Sequence, residues 1–207
     1  MKKVKIIAEI GINHNGSIEN AKRLIDVAIL AGCDFAKFQK RTPDICVPDA
    51  QKEKTRNTPW GFMKYIDYKK RIEFEREEYD ELYDYVKDKP IELFSSVWDR
   101  PSVDFMSNYT KISKIGSALI TDLELCKYAR DNSDLLIVST GMSNEKEIDA
   151  CIEACNPDVI MHTNSTYPSP VDELNLNYIK WIKNKWEREV GYSGHEFGLV
   201  TTFAAVA

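Results

Sequence analysis

Residues 4–39 read VKIIAEIGINHNGSIENAKRLIDVAILAGCDFAKFQ, and this stretch spells out one strand–loop–helix–strand unit. Residues 4–10 are rich in Ile and Val and lead into a turn containing Gly and Asn, which predicts a strand followed by a loop. Ser17 is placed to cap the next helix and Gly32 to end it. One helix face carries the apolar residues Ala21, Leu24, Ile25, Ala28 and Ile29. Residues 35–39 then predict a second strand.

The same alternation of strand and helix continues along the chain. Further strands are predicted at residues 91–97, 112–116, 135–139, 159–163 and 190–193, and helices at 77–87, 101–108, 122–130, 144–155, 176–186 and from 197 onward. Seven such units in a row predict a parallel sheet of the α/β class. An open doubly wound sheet and a (β/α)₈ TIM barrel both meet this pattern. The short, evenly spaced helices and the absence of a G-x-G-x-x-G turn after the first strand favour the barrel.

A TIM barrel needs eight strands and typically roughly 250 residues, whereas this chain has 207 residues and seven predicted strands. We therefore expect residues 1–207 to form one TIM-barrel domain that is truncated after strand seven. One long insertion, residues 41–75, follows the second strand. Insertions of this length are either lids over a binding site or surface segments packed on the barrel, and the sequence leaves both open.

Composition excludes several classes of protein. Hydrophobic residues make up 43% and charged residues 29%, with a net charge of −5, so neither disorder nor nucleic-acid binding is favoured. No run of 18 apolar residues predicts a membrane span, and Glu9 interrupts the basic–apolar start at Met1-Lys2-Lys3 too early for a secretory signal. Five cysteines without a C-x-x-C pair are typical of reduced thiols in a cytoplasmic protein, with a zinc site as the alternative.

Polar residues concentrate directly after the predicted strands, where parallel α/β folds place their active sites. Lys37 and Lys114 lie within strands, so each ammonium requires either an anionic ligand or an internal salt bridge, for instance with Glu9. Hydroxyl groups and all three histidines also lie at or after strand ends: Ser96, Ser117, Ser139, Ser165, Ser193, His14, His162 and His195. Two cations among hydroxyls suit a phosphate or carboxylate ligand. A Ser–His hydrolase is disfavoured because G-x-S-x-G is absent.

Six motifs occur in one order along these strand ends. They are AEIGINHNG at residues 8–16, KFQ at 37–39, KIGS at 114–117, STGM at 139–142, HTNSTYP at 162–168 and GYSGH at 191–195. With these motifs the chain resembles the sialic acid synthase family, the N-acetylneuraminate synthases. The resemblance implies a transferase that condenses phosphoenolpyruvate with N-acetylmannosamine or a related N-acetylated amino sugar. The products are a sialic acid (a nonulosonate) and phosphate.

The resemblance also implies a role for each matching residue. Glu9, Lys37, Lys114, Tyr167 and His195 would be catalytic. Phosphoenolpyruvate would be bound by Lys37, Ser96, Lys114, Ser117, Ser139, Ser165 and Ser193, and the sugar by Glu9, Asn13, His14, Gln39 and Tyr167. His195 would be one of two histidine ligands of Mn²⁺ or Mg²⁺. Full-length members are homodimers with a small antifreeze-like domain after the barrel, which these 207 residues lack, as they lack the second metal histidine of strand eight.

Leu119 departs from the family pattern, which commonly has glutamate two residues after the serine of KIGS. This leaves the sugar open among N-acetylmannosamine, its 6-phosphate and diacetamido-trideoxyhexoses, with Asp122 or Glu124 as substitutes for the missing carboxylate. Ser96 and Ser165 stand where relatives often carry Thr and Asn. Two other functions remain possible: another phosphoenolpyruvate–aldose condensing enzyme of the deoxy-ketulosonate phosphate type, or a non-catalytic module that binds an anionic sugar.

Overall fold

The computed structural model describes residues 4–207, so the basic Met1-Lys2-Lys3 start lies outside the described residues. The chain divides into two compact units, the first ending at Thr110 and the second covering Lys111–Ala207. Across residues 4–207, no helix has both the length and the hydropathy to cross a bilayer. All five cysteines are free thiols, as their spacing predicted.

The first unit is built around three parallel strands in the order β1-β2-β5. Its elements are β1 Ile7–Gly11, α1 Ile18–Leu30, β2 Phe35–Lys40, α2 Pro43–Cys46, α3 Asp49–Lys52, β3 Thr55–Thr58, β4 Gly61–Lys64, α4 Tyr65–Ile72, α5 Arg76–Val86, β5 Glu92–Val97 and α6 Arg100–Met106. The predicted cap of α1 is confirmed, because the Ser17 hydroxyl accepts from the Asn20 N–H. The buried face of that helix is Ala21, Ile25 and Ala28, three of the five predicted apolar positions.

The insertion between β2 and α5 contains regular structure that the sequence pattern did not reveal. Helices α2, α3 and α4 and the antiparallel hairpin β3–β4 occupy it, with Thr55 opposite Lys64. Its apolar anchors are few, since Ile66 and Ile72 are the buried aliphatic residues of α4. With so short an apolar pattern, neither helical nor strand periodicity stands out in residues 41–75.

The second unit contains four parallel strands in the order β6-β7-β8-β9. Its elements are β6 Ile112–Ile115, α7 Leu123–Asp131, β7 Leu135–Ser139, α8 Glu145–Cys155, β8 Val159–Thr163, α9 Asn177–Trp186, β9 Glu189–Ser193 and α10 Val200–Val206, with 3₁₀ turns at Ser117–Leu119 and Val171–Glu173. These boundaries match the predicted ones within two residues, except that β1 and α10 each begin three residues later than expected.

Parallel strands alternating with helices confirm the predicted α/β class. The sequence pattern was informative because the central strands are buried on both faces. In β5 the residues from Leu93 to Val97 are all buried, and in β7 so are those from Leu136 to Ser139. Strands of this kind read as nearly continuous apolar runs, which are easily recognised in a sequence.

Candidate functional site

Lys37 lies in the middle of β2 and forms the centre of the polar group in the first unit. Its Nζ is 2.6 Å from Glu9 Oε2 and donates to Ser96 Oγ at 2.8 Å. The parallel register explains the contact with the carboxylate, since Glu9 of β1 lies directly opposite Lys37. The sequence left open whether Lys37 binds an anionic ligand or forms an internal salt bridge. The structure shows the salt bridge, and its partner Glu9 is itself a predicted sugar-binding residue.

The two members of this ion pair differ strongly in exposure. The Lys37 side chain is 4% exposed, whereas the Glu9 side chain is 54% exposed. Burial lowers the pKa of Lys37, and the Glu9 carboxylate opposes that shift while Arg41 adds to it. A buried ammonium with a half-exposed counter-ion can accept a second anion from the open side, because its own carboxylate does not enclose it.

Arg41 continues the polar face of β2 and was missed by the sequence analysis. Its guanidinium donates to the Gln39 side-chain carbonyl, and its backbone N–H donates to Glu73 Oε1 at 2.9 Å. Arg41 Nε lies 3.4 Å from Glu73 Oε2, and burial raises the pKa of Glu73 to about 7. Arg41 follows β2 directly, and the signal that could have found it is its two-residue spacing from Gln39 and Lys37, the spacing of side chains on one face of an extended chain.

The turn after β1 presents Asn13 to solvent and buries His14. The His14 ring is 3% exposed and stacks on Phe74 at 3.9 Å, and its Nδ1 accepts from the Gly16 N–H at 3.2 Å. Gly16 has φ +69°, and a Cβ there would lie 2.4 Å from the Arg71 carbonyl oxygen. This burial favours a role for His14 in holding the turn over direct contact with a sugar, while Asn13 keeps an exposed side chain.

His14 also predicts an acid-sensitive contribution to stability. Burial lowers its pKa to about 4, below the unfolded value of about 6.5. Below pH 6.5 this histidine is therefore protonated in the unfolded chain but stays neutral in the folded chain. The free energy of unfolding falls by up to about 3 kcal/mol as the pH drops towards 4. In denaturant titrations of His14→Gln between pH 7 and pH 4 we expect a shallower loss of stability than in the wild type. Parallel pH profiles for the two proteins would contradict this.

In the second unit a glycine brings two serine hydroxyls together. Ser117 Oγ accepts from the Gly141 N–H at 3.0 Å. A Cβ on Gly141 would lie 2.2 Å from Ser165 Oγ and 2.9 Å from Ser117 Oγ, so only glycine leaves room for both. Ser139 Oγ is buried and has no hydrogen-bond partner within residues 4–207. A buried hydroxyl without a partner is costly, and an added oxygen acceptor would satisfy it.

Lys114 and Ser193 occupy two further strands of the second unit. Lys114 is 7% exposed in β6, opposite Ile137 of β7. Ser193 ends β9 and lies opposite Thr163 of β8. Both residues therefore lie on strands, as the sequence analysis expected.

Tyr167 and His195 form a pair at the ends of β8 and β9. The Tyr167 hydroxyl is 2.8 Å from His195 Nε2, and His195 Nδ1 is 2.6 Å from the Asn164 carbonyl oxygen. Since a carbonyl only accepts, Nδ1 carries a proton, and in the neutral imidazole Nε2 then keeps its lone pair and accepts from the Tyr167 hydroxyl. This is the tautomer in which an imidazole binds a metal ion through Nε2.

Comparison with known protein families identifies the family of this chain. The model of the NeuB family matches residues 24–207. The chain is 33% identical to the N,N'-diacetyllegionaminic acid synthase of Campylobacter jejuni over 217 aligned residues, covering 100% of this chain and 65% of that protein. The chain belongs to the NeuB family, the sialic acid synthases.

Two further comparisons show the breadth of the sialic acid synthase family. The N-acetylneuraminate-9-phosphate synthase of Drosophila melanogaster is 32% identical, with 98% of this chain and 57% of that protein covered. The crystal structure of an N-acetylneuraminic acid synthetase from Leptospira borgpetersenii, in complex with citrate, superposes with a TM-score of 0.89 at 28% identity, covering 99% of this chain and 70% of that one. The chain thus spans 57–65% of the length of the two relatives matched by sequence.

Leu119 remains a departure from the family pattern, and the structure narrows what can compensate for it. Leu119 ends the 3₁₀ turn Ser117–Leu119 and is half-buried. Asp122 is the N-cap of α7, where its carboxylate accepts a hydrogen bond from the Leu125 N–H at 3.0 Å. Glu124 lies exposed in the first turn of that helix. A carboxylate used as a helix cap is poorly placed to accept from a sugar hydroxyl.

For the metal that the family resemblance predicts, the structure offers one oriented donor atom within residues 4–207, His195 Nε2. Among residues 4–207, no three His, Cys, Asp or Glu side chains are arranged to hold a metal ion. His195 Nε2 has the correct tautomer, but a bound ion generally requires three or more protein donors. The described residues therefore fit a metal as one ligand and not as a complete site.

Proposed function

We propose that the natural protein carrying this chain condenses phosphoenolpyruvate with an N-acetylated amino sugar to give a nonulosonate and phosphate. The observation that supports this most directly is the Lys37 arrangement: a buried ammonium held by a half-exposed Glu9 and by Ser96. An anion that approaches the open side of this pair meets a preorganised cation and pays no cost for orienting it. Family membership and the related synthases support the reaction class.

In this proposal carbon three of phosphoenolpyruvate attacks the sugar aldehyde, water adds at carbon two, and phosphate leaves by carbon–oxygen cleavage. Lys37 and Lys114 bind the anionic groups of phosphoenolpyruvate, and Ser96, Ser117, Ser139, Ser165 and Ser193 donate hydrogen bonds to them. The orphaned Ser139 hydroxyl and the Ser117–Gly141–Ser165 arrangement support this assignment. Glu9, Asn13, Gln39 and Tyr167 face the sugar, and the buried His14 supports the turn that carries Asn13.

His195 would supply one ligand to a divalent ion, Mn²⁺ or Mg²⁺, which as a Lewis acid would polarise the sugar aldehyde. The hydrogen bond from Nδ1 to the Asn164 carbonyl oxygen holds the ring in its ligating tautomer. The Tyr167 hydroxyl meanwhile shields the Nε2 lone pair. Completion of the TIM barrel, homodimerisation of the full-length protein and a cytoplasmic location stay predictions.

The test is a turnover assay with the purified natural protein, Mn²⁺ and phosphoenolpyruvate. N-acetylmannosamine, its 6-phosphate and a 2,4-diacetamido-2,4,6-trideoxyhexose are offered in parallel, and released phosphate and product mass are measured. We expect phosphate release with at least one amino sugar, and an ¹⁸O label in the bridging position of phosphoenolpyruvate should leave with phosphate. Turnover only with a pentose or tetrose phosphate would assign the protein to the other condensing enzymes, and no turnover with any sugar would refute the proposal.

A further inference from the structure

Three buried thiols meet between helices α7 and α8 of the second unit. Cys126 lies on α7, and Cys151 and Cys155 lie one turn apart on α8. Each of them is at most 1% exposed. Cys151 Sγ is 3.8 Å from Cys126 Sγ and 3.7 Å from Cys155 Sγ. We call these three residues the thiol cluster. None of them belongs to the strand-end motifs, so the proposed reaction leaves their chemistry unused.

The thiol cluster does not have the arrangement of a metal site. Within residues 4–207, no three His, Cys, Asp or Glu side chains are placed to hold an ion. The other product that neighbouring thiols form is a disulfide, which requires Cβ atoms about 3.5–4.5 Å apart and a bond of about 2 Å between the two sulfurs. The question is therefore which pair of the cluster can be joined with the least distortion.

The geometry favours the pair that joins the two helices. Cys151 and Cys155 occupy positions i and i+4 of one helix, where Cβ atoms lie about 5–6 Å apart. Bringing them to disulfide distance would distort the helix itself. Cys126 and Cys151 instead lie on separate helices that pack against each other, so a small movement of one helix can close their 3.8 Å gap. A disulfide between Cys126 and Cys151 keeps both helices intact.

The end of α8 gives a small oxidant a route to these buried sulfurs. The helix ends at Cys155, and Asn156 follows it in the left-handed region with φ +43°. Helix ends fray more readily than helix interiors, because the last carbonyl groups have no partner within the helix. Opening of this last turn exposes the cluster without unfolding the rest of the unit. Oxidation of the cluster is therefore expected to be slow and limited by this local opening.

Cys126 also contacts the turn that carries Ser117. Its thiol donates to the carbonyl oxygens of Leu119 and Ile120, at 3.6 and 3.7 Å. A disulfide removes this donor and draws the sulfur towards α8. Ser117 Oγ in turn accepts from the N–H of Gly141, which lies in the loop before α8. The two helices that the disulfide would join thus follow the two loops whose contact shapes the proposed phosphoenolpyruvate site.

We propose that Cys126 and Cys151 form a reversible disulfide that weakens the binding of phosphoenolpyruvate. The oxidant is hydrogen peroxide. One thiol attacks it, an S–O bond forms, the O–O bond breaks, and water leaves a sulfenic acid behind. The second thiol attacks that sulfur, the S–S bond forms, the S–O bond breaks, and a second water leaves. Each water takes up one thiol proton, and the two sulfurs together lose the two electrons that peroxide gains.

Only part of this inference rests on the proposed function. Formation of the disulfide depends on the thiol cluster alone, whereas its effect on phosphoenolpyruvate rests on the role proposed for Ser117. A dithiol reverses the modification by thiol–disulfide exchange, which returns both cysteines to thiols and oxidises the dithiol. The cluster would thereby lower the activity of the protein under oxidising conditions and restore it when reductant returns.

The experiment treats the natural protein with hydrogen peroxide, alkylates the remaining thiols and maps disulfides by mass spectrometry of the peptides. The Kd of phosphoenolpyruvate is measured by calorimetry, and its KM by kinetics, before oxidation, after it and after dithiothreitol. We expect a Cys126–Cys151 disulfide and a rise of at least about tenfold in both constants, the effect of losing one hydrogen bond to a charged ligand. Dithiothreitol should reverse the disulfide and the rise together.

Cys151→Ala should form no disulfide with Cys126 and keep its affinity for phosphoenolpyruvate after peroxide. Cys155→Ala is the matched control, because it removes a buried thiol of the same helix that the proposed bond does not use. It should still form the disulfide and lose affinity as the wild type does. Melting curves show whether each variant is folded, and if Cys151→Ala does not fold, Cys126→Ala decides the question.

The inference is overturned if no disulfide forms, if the disulfide does not contain both Cys126 and Cys151, or if it leaves the phosphoenolpyruvate affinity unchanged. An equal loss of affinity in Cys151→Ala would overturn it as well. The calorimetric measurement separates this inference from the reaction. A protein without turnover whose affinity for phosphoenolpyruvate falls on oxidation would refute the reaction alone, and an active enzyme that forms no such disulfide would refute this inference alone.

Discussion

Replacing Lys37 with methionine is expected to lower kcat/KM for phosphoenolpyruvate by about 10²–10³, the usual effect of removing one preorganised charge-stabilising donor. Methionine fills the space of the lysine stem but cannot donate to Ser96 or balance Glu9, which lie 2.8 and 2.6 Å from Nζ. Most of the loss should appear in the rate of the chemical step and in the binding of phosphoenolpyruvate, because the buried cation stabilises the negative charge of this substrate as that charge redistributes during the reaction. Steady-state kinetics with each substrate varied in turn measures this.

Lys40→Met is the matched control for Lys37→Met. Lys40 is the neighbouring buried lysine of β2, donates to the Phe74 carbonyl oxygen at 2.6 Å, and lies 3.3 Å from Glu75. Its side chain points to the opposite face of the strand, so its loss should cost stability and less than tenfold in kcat/KM. Equal activity losses in the two variants would show that burial of a lysine in β2, and not the Glu9–Lys37–Ser96 arrangement, is what activity requires.

Replacing His195 with asparagine is expected to weaken Mn²⁺ binding by at least about a hundredfold. Removing a group that only orients a metal ligand costs about 10–100-fold in affinity, so loss of the ligand itself should cost no less. Asparagine retains polarity at this position but lacks the Nε2 lone pair, which the hydrogen bond from Nδ1 to Asn164 holds available. Electron paramagnetic resonance titration with Mn²⁺ measures the change directly in the natural protein.

Tyr167→Phe is the informative partner of the His195 variant. The Tyr167 hydroxyl donates to Nε2 at 2.8 Å, so it competes with a metal ion for the same lone pair. Removing the hydroxyl should leave Mn²⁺ affinity unchanged or raise it severalfold, while turnover of the sugar falls. Unaltered Mn²⁺ binding in His195→Asn would contradict the assignment of this histidine as a ligand.

Much of the fold was readable from local patterns. The strands β7 and β8 were predicted at their observed bounds, because Leu135–Ser139 and Val159–Thr163 are short apolar runs bounded by polar loops. The Ser17 cap of α1 was likewise predicted from residue type and position alone. The hairpin β3–β4 was not, since all of its residues are exposed or half-buried and show no alternation to recognise.

The candidate site likewise contains residues that the sequence predicted and residues that only the structure revealed. The order of motifs along the sequence predicted Glu9, Lys37 and Tyr167 as site residues, because each belongs to a short run of unusual composition. The contact between Arg41 and Glu73 was not predicted, since the two residues are 32 positions apart and neither lies in a recognised motif. The three adjacent buried thiols of Cys126, Cys151 and Cys155 also come together only in three dimensions, although the one-turn spacing of Cys151 and Cys155 was visible.

The order of strands and helices and the polar residues at the strand ends could be read from local sequence, because a strand or a helix depends mainly on neighbours close along the chain. The partner of each buried polar side chain, in contrast, depends on contacts between parts of the chain that are far apart in sequence. Lys37 pairs with Glu9 through strand register and contacts Ser96, which lies 59 positions away in the sequence, and His14 is buried against Phe74. Ion pairing and desolvation depend on distances in space, and residues far apart in the sequence come close only when the chain is folded.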